Sequence, residues 1–427
     1  MDYVISPAAR ISGTVEMPGD KSISHRALMI AAIAEGESHI EKLSDGADVA
    51  STIACLEKLG VKIVREGSTA TVHGVGMTGL KPPARMLDVG NSGTTIRLLS
   101  GILAGQSFHT QITGDESIRA RPMARIVEPL RQMGAEVMAV KNEYPPLSIT
   151  GGGLRSIYYE MPVASAQVKS CLLLAGLYAH GRTEVVEPAR TRDHTELMLV
   201  KFGANVQKVE AHITVDGPAH LTAQEVLVPG DLSSAACFIA AASLLPDSDI
   251  LIKNVGINPT RKAFLSLLAD FGADLDIMNV RTQGGELTAD LFVSSSNLAG
   301  MTIEGSIVPQ IIDEIPILAV MASQAEGRTE IRDAGELRHK ESDRLRSLAF
   351  NLKRMGVEVT EKQDGLIIDG PAKLQGAEIE SFNDHRIAMS FAVAGLLAAD
   401  QSRIKNADCV AISHPGFFQG LEDVVER

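Results

Sequence analysis

The sequence predicts an α/β (α+β) protein of two domains, each made of three copies of one repeated unit. Three observations carry that expectation. First, a phrase of amphipathic helix, glycine and strand occurs five times: "STIACLEKLGVKIV", "ARIVEPLRQMGAEVMAV", "HTELMLVKFGANVQKV", "AFLSLLADFGADLDIM" and "LRSLAFNLKRMGVEVTE". Its glycines, Gly60, Gly134, Gly203, Gly272 and Gly356, are separated by 74, 69, 69 and 84 residues by subtraction. A glycine closing an apolar-periodic run is a helix stop, and the alternation after it is a strand. Second, a strand-like phrase such as "GRTEVVEPA" or "GRTEIRDAG" precedes each of those helices, and a mostly apolar helix precedes that. Third, 427 residues are too many for one ordinary hydrophobic core.

The elements follow in order. The unit runs helix, strand, helix, strand, strand over about 70 residues. Five units are complete, and the sixth starts at Asn383 and runs out after "GFFQGLEDVVER". The N-terminal "YVISPAARISGTVEM" holds the two strands expected to complete it, which ties the termini together. Two matching phrases, "PGDKSISHRALMIAAI" from Pro18 and "PGDLSSAACFIAAASL" from Pro229, mark the expected crossovers between domains. One domain then holds residues 20–228 and the other 1–19 plus 229–427, three units each and pseudo-threefold.

Composition bounds the function. Hydrophobic residues make up 45% and charged residues 22% of the chain, as in soluble globular proteins. No apolar run reaches the roughly 18 residues of a membrane span, and no basic, apolar leader is present, so the expected location is the cytoplasm. A net charge of −13 argues against a nucleic-acid partner. The four cysteines form no C-x-x-C, and Cys55, Cys171 and Cys237 fall inside apolar helical patterns, so buried thiols are expected. His25, His194, His339, His385 and His414 show no metal-ligand spacing. "GVGMTG" (Gly74 to Gly79) matches a dinucleotide fingerprint literally, but Pro82-Pro83 forbids the helix that must follow. It reads as a strand end and a turn.

The helix starts carry the chemistry. The first turn of a helix exposes unpaired N–H groups and a partial positive charge, so anions settle there. Lys21, Ser22 and Arg26 stand at the first such mouth; the twin at Pro229 has Leu232 in place of Lys21. For one cluster alone, a Ser22 cap with solvated cations is the simpler reading. The pattern recurs, however. "GNSGTTIR" offers Asn91 and Gly93, "SIRARPM" offers Arg121 before Pro122, and "ASAQVKS" offers Ser165 and Gln167. "RTRDHTE" offers Arg192, "HKESDRL" offers Lys340, Glu341 and Arg344, and "FNDHRIAM" offers His385 and Arg386. Cations at helix N-termini oppose the dipole, and an anion neutralises both. Asp343 reads as a salt-bridged surface residue. Asp313, before an apolar helix with Pro316 in its first turn, is either a desolvated base or, like Glu314, a plain cap; spacing leaves both open.

These phrases, with "PGDKSISHRAL", "GNSGTTIRLL", "RPM", "ASAQVKSCLL", "IDEIPILAV", "HKESDRL" and "NDHRIAM" in that order, resemble the enolpyruvyl transferase family over nearly the whole chain. The resemblance implies a two-domain inside-out α/β barrel of six βαβαββ-type units with the active site in the cleft between domains. It implies transfer of enolpyruvyl from phosphoenolpyruvate to the 5-hydroxyl of shikimate 3-phosphate through a tetrahedral intermediate. No metal or organic cofactor and a monomer are implied. Matched motif to motif, Lys21 would touch both substrates. Ser22, Arg26, Ser165, Ala166, Gln167, Arg192, Asp313 and Lys340 would hold shikimate 3-phosphate. Asn91, Gly93, Arg121, Gln167, Arg344 and Arg386 would surround phosphoenolpyruvate. Asp313 would be the base on the hydroxyl, and Glu341, with Lys21 or His385, would handle the methylene proton. Ala166 stands where a second serine is usual, with Arg192 as the substitute contact, and no lysine precedes the proline of "AISHPGFF". The related UDP-N-acetylglucosamine branch usually carries a cysteine on a mobile loop, whereas Cys55 and Cys171 here lie in helical patterns. A non-catalytic anion-binding protein would not need Asp313 and Glu341 beside the cations.

Overall fold

Six helices have almost no polar face, so each must be buried on every side. In the computed structural model, which describes residues 1–427, they are Lys21–Ile33, Gly93–Ala104, Ala166–Gly176, Leu232–Leu244, Ile315–Ala322 and His385–Leu396. Every residue of Ile315–Ala322 is buried. The chain forms two units, Gly19–Val228 and Met1–Pro18 with Pro229–Arg427, and three of these helices form the centre of each.

Around the helices of Gly19–Val228 lie three four-stranded sheets with one plan. A short strand runs parallel to a central strand, and two antiparallel strands follow. The strand orders are Glu225–Leu227, Glu35–Glu41, Thr69–Val75, Lys62–Glu66; then Leu87–Asp88, His109–Thr113, Tyr144–Thr150, Glu136–Val140; then Tyr158–Glu160, Gly181–Val186, His212–Gly217, Val206–Val209. The first sheet takes its opening strand from the end of the unit, with Glu225 opposite His39 and Leu227 opposite Glu41. Buried and exposed residues alternate along His109–Thr113, one face on the helices and one in water. Helices inside and sheets outside make this an inside-out α/β fold. "GVGMTG" ends the strand Thr69–Val75 and turns at Gly76, whose carbonyl accepts from Gly79 N.

The unit of Met1–Pro18 and Pro229–Arg427 repeats the plan once without change, in Thr302–Ile303, Gly327–Ile331, Leu366–Gly370 and Glu358–Glu361. Its other two sheets divide the N-terminal strands between them, a correction to the expectation that both complete the sixth repeat. Tyr3–Ile5 does so, antiparallel to Ser402–Lys405. Arg10–Glu16 instead runs parallel to Asp249–Gly256 in the fourth repeat's sheet and also pairs with Val425–Glu426. The cause is topological. The strand that should open the fourth repeat, Glu225–Leu227, is already used by the first sheet, and Arg10–Glu16 takes its place.

Local chemistry sets the helix ends. The five repeat glycines have φ of +90°, +107°, +100°, +96° and +88°, the left-handed C′ stop. At the two Pro-Gly-Asp turns the aspartate is the cap, correcting the reading of Ser22. Asp20 accepts from Ile23 N at 2.9 Å and Asp231 from Ser233 N at 2.8 Å. A Cβ on Gly19 would stand 1.7 Å from the Lys42 carbonyl oxygen, so close backbone approach dictates glycine there.

Candidate active site

In the unit Gly19–Val228, the mouths of the three buried helices carry the expected side chains. Lys21, the first residue of its helix, places Nζ 3.0 Å from Asp48 Oδ2, with little of either side chain exposed. Arg26, one turn beyond Ser22, is buried. It donates to Ser22 O at 2.9 Å, to Thr195 Oγ1 at 2.6 Å and to Ser170 Oγ at 3.0 Å. His25 is buried between these cations and bonds Thr52 Oγ1 at 2.7 Å through Nδ1. Burial, then the charges of Lys21 and Arg26, hold its pKa well below the ordinary imidazole value.

Ser92 caps the second helix through Thr95 N at 3.1 Å, which leaves Gly93 as its first residue. A Cβ at Gly93 would lie 2.8 Å from Arg97 Nη1 and 2.9 Å from Arg121 Nη1, so two guanidinium groups stand over the glycine. Asn91 donates to Asp115 Oδ2 at 2.7 Å and so joins the glycine-rich turn to the next helix cap. Arg121 is buried and donates to Ser117 Oγ at 3.1 Å. Pro122 does not open the following helix, which runs Ala124–Gln132. Ser165 caps the third helix, and Ala166 is its first residue. Gln167 accepts from Arg97 Nη1 at 2.8 Å and donates to Thr94 Oγ1 at 3.0 Å. Arg192 is half-buried in the loop ahead of the helix His194–Lys201.

In the other unit the guanidinium of Arg344 gathers three carboxylates. The Arg344 side chain is 1% exposed. It forks onto Asp384, at 2.8 Å to Oδ2 and 3.2 Å to Oδ1, and donates to Glu341 Oε2 at 2.7 Å. Its third neighbour is Asp313 Oδ1 at 3.5 Å, and Lys340 Nζ also lies 3.5 Å from that oxygen. Both contacts to Asp313 are at the outer limit of hydrogen bonding. Burial alone works against the Arg344 charge, but Asp384, Glu341 and Asp313 outweigh it and raise its pKa.

Lys340 and Glu341 were expected at a helix start with Arg344. They lie instead in the turn between a 3₁₀ helix, Gly335–His339, and the helix Arg344–Arg354. Asp343 caps that second helix and pairs with Arg338. Glu314 stands at the N-cap position of Ile315–Ala322. Glu314 is buried against Ser233 and Arg261. Asp384 caps the helix His385–Leu396 through Arg386 N at 2.9 Å. His385 is 1% exposed, and the half-buried Arg386 side chain makes no hydrogen bond or ion pair within this unit.

Sequence reasoning missed Asp48, Arg97 and Asp384 as site residues. Asp384 lies inside the quoted "NDHR" phrase, where an acid before two cations signals a cap that can also hold an arginine. Arg97 lies four residues after Gly93, hence over the same helix mouth. No cluster of three His, Cys, Asp or Glu side chains is placed to hold a metal ion. Chemically, the first unit concentrates donors and positive charge at three helix mouths. The second joins a carboxylate able to take a proton to a second carboxylate through one buried cation.

Comparison with known proteins agrees with this chemistry. The family model for EPSP synthase (3-phosphoshikimate 1-carboxyvinyltransferase) matches residues 5–421. A 3-phosphoshikimate 1-carboxyvinyltransferase of Solibacter usitatus is 52% identical over 426 residues, covering 100% of both chains. One from Thermoanaerobacter pseudethanolicus is 50% identical, covering 99% of this chain and 100% of its own. The solved EPSP synthase of Acinetobacter baumannii is 44% identical with a TM-score of 0.88, covering 99% of this chain and 98% of that one. The enolpyruvyl transferase NikO of Streptomyces tendae shares the fold, with a TM-score of 0.77 at 19% identity over 99% of this chain and 96% of its own. The chain belongs to the EPSP synthase family, the 3-phosphoshikimate 1-carboxyvinyltransferases.

Proposed function

We propose that the two sets of side chains act on phosphoenolpyruvate and shikimate 3-phosphate. Ser22, Arg26, Ser165, Gln167, Arg192 and Lys340 hold shikimate 3-phosphate, with the Ala166 backbone at the same helix mouth. Asn91, Gly93, Arg121, Gln167, Arg344 and Arg386 hold phosphoenolpyruvate, and Lys21 contacts both. Asp313 takes the proton of the 5-hydroxyl as its oxygen bonds to C2 of phosphoenolpyruvate. A proton adds to C3, giving a tetrahedral ketal. The C2–O bond to phosphate then breaks, phosphate leaves, and C3 returns the proton to give the enol ether. Glu341 and Lys21 carry that proton, because His385 at 1% exposure is less accessible. The negative charge of the departing phosphate is met by fixed cations that need no reorganisation.

One observation carries the reading: Asp313 and Glu341, the two carboxylates the reaction requires, converge on the buried guanidinium of Arg344. The same reading takes the protein as a monomer that works in the cytoplasm on small molecules, without metal or organic cofactor. Phosphate release from phosphoenolpyruvate in the presence of shikimate 3-phosphate, but not of UDP-N-acetylglucosamine, tests it. Light scattering on the eluting enzyme tests the monomer.

A further inference from the structure

Lys169 has no place in the reaction just described, yet it is 0% exposed. It lies two residues after Gln167, on the helix whose mouth carries Ser165 and Ala166. Burying an ammonium group is costly unless it is paired. Its Nζ lies 2.9 Å from Glu187 Oε2 and 2.7 Å from Glu196 Oε1, the latter an ion pair off the hydrogen-bond axis. These partners sit on two other segments. Glu187 also accepts from Thr191 N at 3.2 Å and Thr191 Oγ1 at 2.7 Å, which closes the loop that ends in Arg192. Lys208 Nζ stands 3.9 Å from Glu187 Oε1 and 3.5 Å from Asp193 Oδ2, bracketing the loop from the far side. Glu196 follows Thr195, whose hydroxyl meets Arg26 Nε at 2.6 Å and Ser170 Oγ at 2.6 Å.

Resting on the proposed function, we propose that Lys169, acting through Glu187 and Thr191, is a positioning residue that fixes Arg192 as the phosphate contact replacing the hydroxyl absent at Ala166. Two facts make the device local. Arg192 directly follows Thr191, so the loop's anchor is one residue from the guanidinium-bearing position. The other end of the anchor is three residues from Ala166 along the same helix, so one side chain sets the spacing of both. A loop arginine gains from being held in advance, since otherwise binding must order it.

The test is steady-state kinetics on four full-length enzymes: wild type, Lys169→Met, Thr191→Val, and Lys169→Met combined with Ala166→Ser. Lys169→Met is expected to raise KM for shikimate 3-phosphate about tenfold, and Thr191→Val about threefold, the loss of one charge-assisted and one neutral hydrogen bond's worth of positioning. KM for phosphoenolpyruvate should stay within about twofold in both. Ala166→Ser should return the Lys169→Met value to within about threefold of wild type, because a hydroxyl at the helix mouth replaces the displaced arginine. If Lys169→Met does not fold, Thr191→Val alone decides. A parallel rise in both KM values, or no rescue by Ala166→Ser, overturns the inference and leaves the proposed function standing. Failure of the wild type to turn over shikimate 3-phosphate overturns both.

Discussion

Replacing Gly93 by alanine perturbs Arg97 and the proposed phosphoenolpyruvate contact Arg121, and little else. The added Cβ would stand 2.8 Å from Arg97 Nη1 and 2.9 Å from Arg121 Nη1, roughly 0.6 Å inside ordinary contact. Both obstructing atoms are ends of flexible side chains, so the fold yields easily. Gly93 is the first helical residue behind the Ser92 cap, and alanine favours helix by about 1 kcal/mol over glycine. Stability should therefore be unchanged or slightly raised. The guanidinium groups, however, must retreat from the helix mouth at which we propose the substrate anion binds. Losing about half of a charge-assisted hydrogen bond, about 1.4 kcal/mol, raises KM for phosphoenolpyruvate about tenfold. Glyphosate, a longer anion that the family resemblance implies as an inhibitor at the same site, should be weakened by a larger factor. The assay is phosphate release against phosphoenolpyruvate concentration, with a thermal melt beside it. An unchanged KM and an unchanged glyphosate inhibition constant in a folded variant would refute the placement of Gly93.

Lys21→Ala should lower kcat about 100- to 1000-fold, as for loss of one preorganised donor, while far-ultraviolet circular dichroism stays native; turnover within a few fold of wild type removes Lys21 from the reaction. Asp384→Asn keeps the cap on Arg386 N but takes the counter-charge from buried Arg344, and should cost about 3–5 kcal/mol in urea unfolding and raise KM for phosphoenolpyruvate. His25 gives a pH signature. Its folded pKa is lowered, so between that value and the unfolded pKa near 6.5 the unfolded chain binds the extra proton. Its contribution is complete above about pH 6.5 and falls by about 1.4 kcal/mol per unit below it. His25→Gln should show a shallower loss in urea unfolding between about pH 5.5 and 6.5; equal slopes contradict the buried neutral imidazole. All four thiols are pushed up to about 12 by burial. Native enzyme should therefore resist Ellman's reagent at pH 8, and rapid labelling of Cys55, Cys171 or Cys237 would contradict their burial.

The repeat was legible because each copy is written in the same physical grammar: an apolar helix, a glycine stop, an alternating strand. Gly60, Gly134, Gly203, Gly272 and Gly356 all take the left-handed φ that this grammar requires. The destination of Arg10–Glu16 was not legible. Strand pairing between residues 12 and 249 leaves no trace in local periodicity, and one unused sheet edge looks like another. The cations at the helix mouths were legible from type and position alone. Their acidic partners were not, since Asp48 and Asp384 lie 27 and 40 residues from Lys21 and Arg344. Ser22 was misjudged as the alternative cap because serine and aspartate both cap helices. The choice between them fell to the strand end at Lys42, which fixes where the Pro-Gly-Asp turn lies. Lys169 carried no signal in sequence: a lysine in an apolar helix looks like a boundary, until its two glutamates arrive from other segments.

The most direct measurement is phosphate release from phosphoenolpyruvate with each acceptor in turn, comparing wild type with Asp313→Asn. Convergence of Asp313 and Glu341 on Arg344 predicts release with shikimate 3-phosphate, none with UDP-N-acetylglucosamine, and a fall of at least about 100-fold in kcat for the variant with both substrates still binding. Release with the nucleotide sugar, or undiminished turnover in Asp313→Asn, would contradict it.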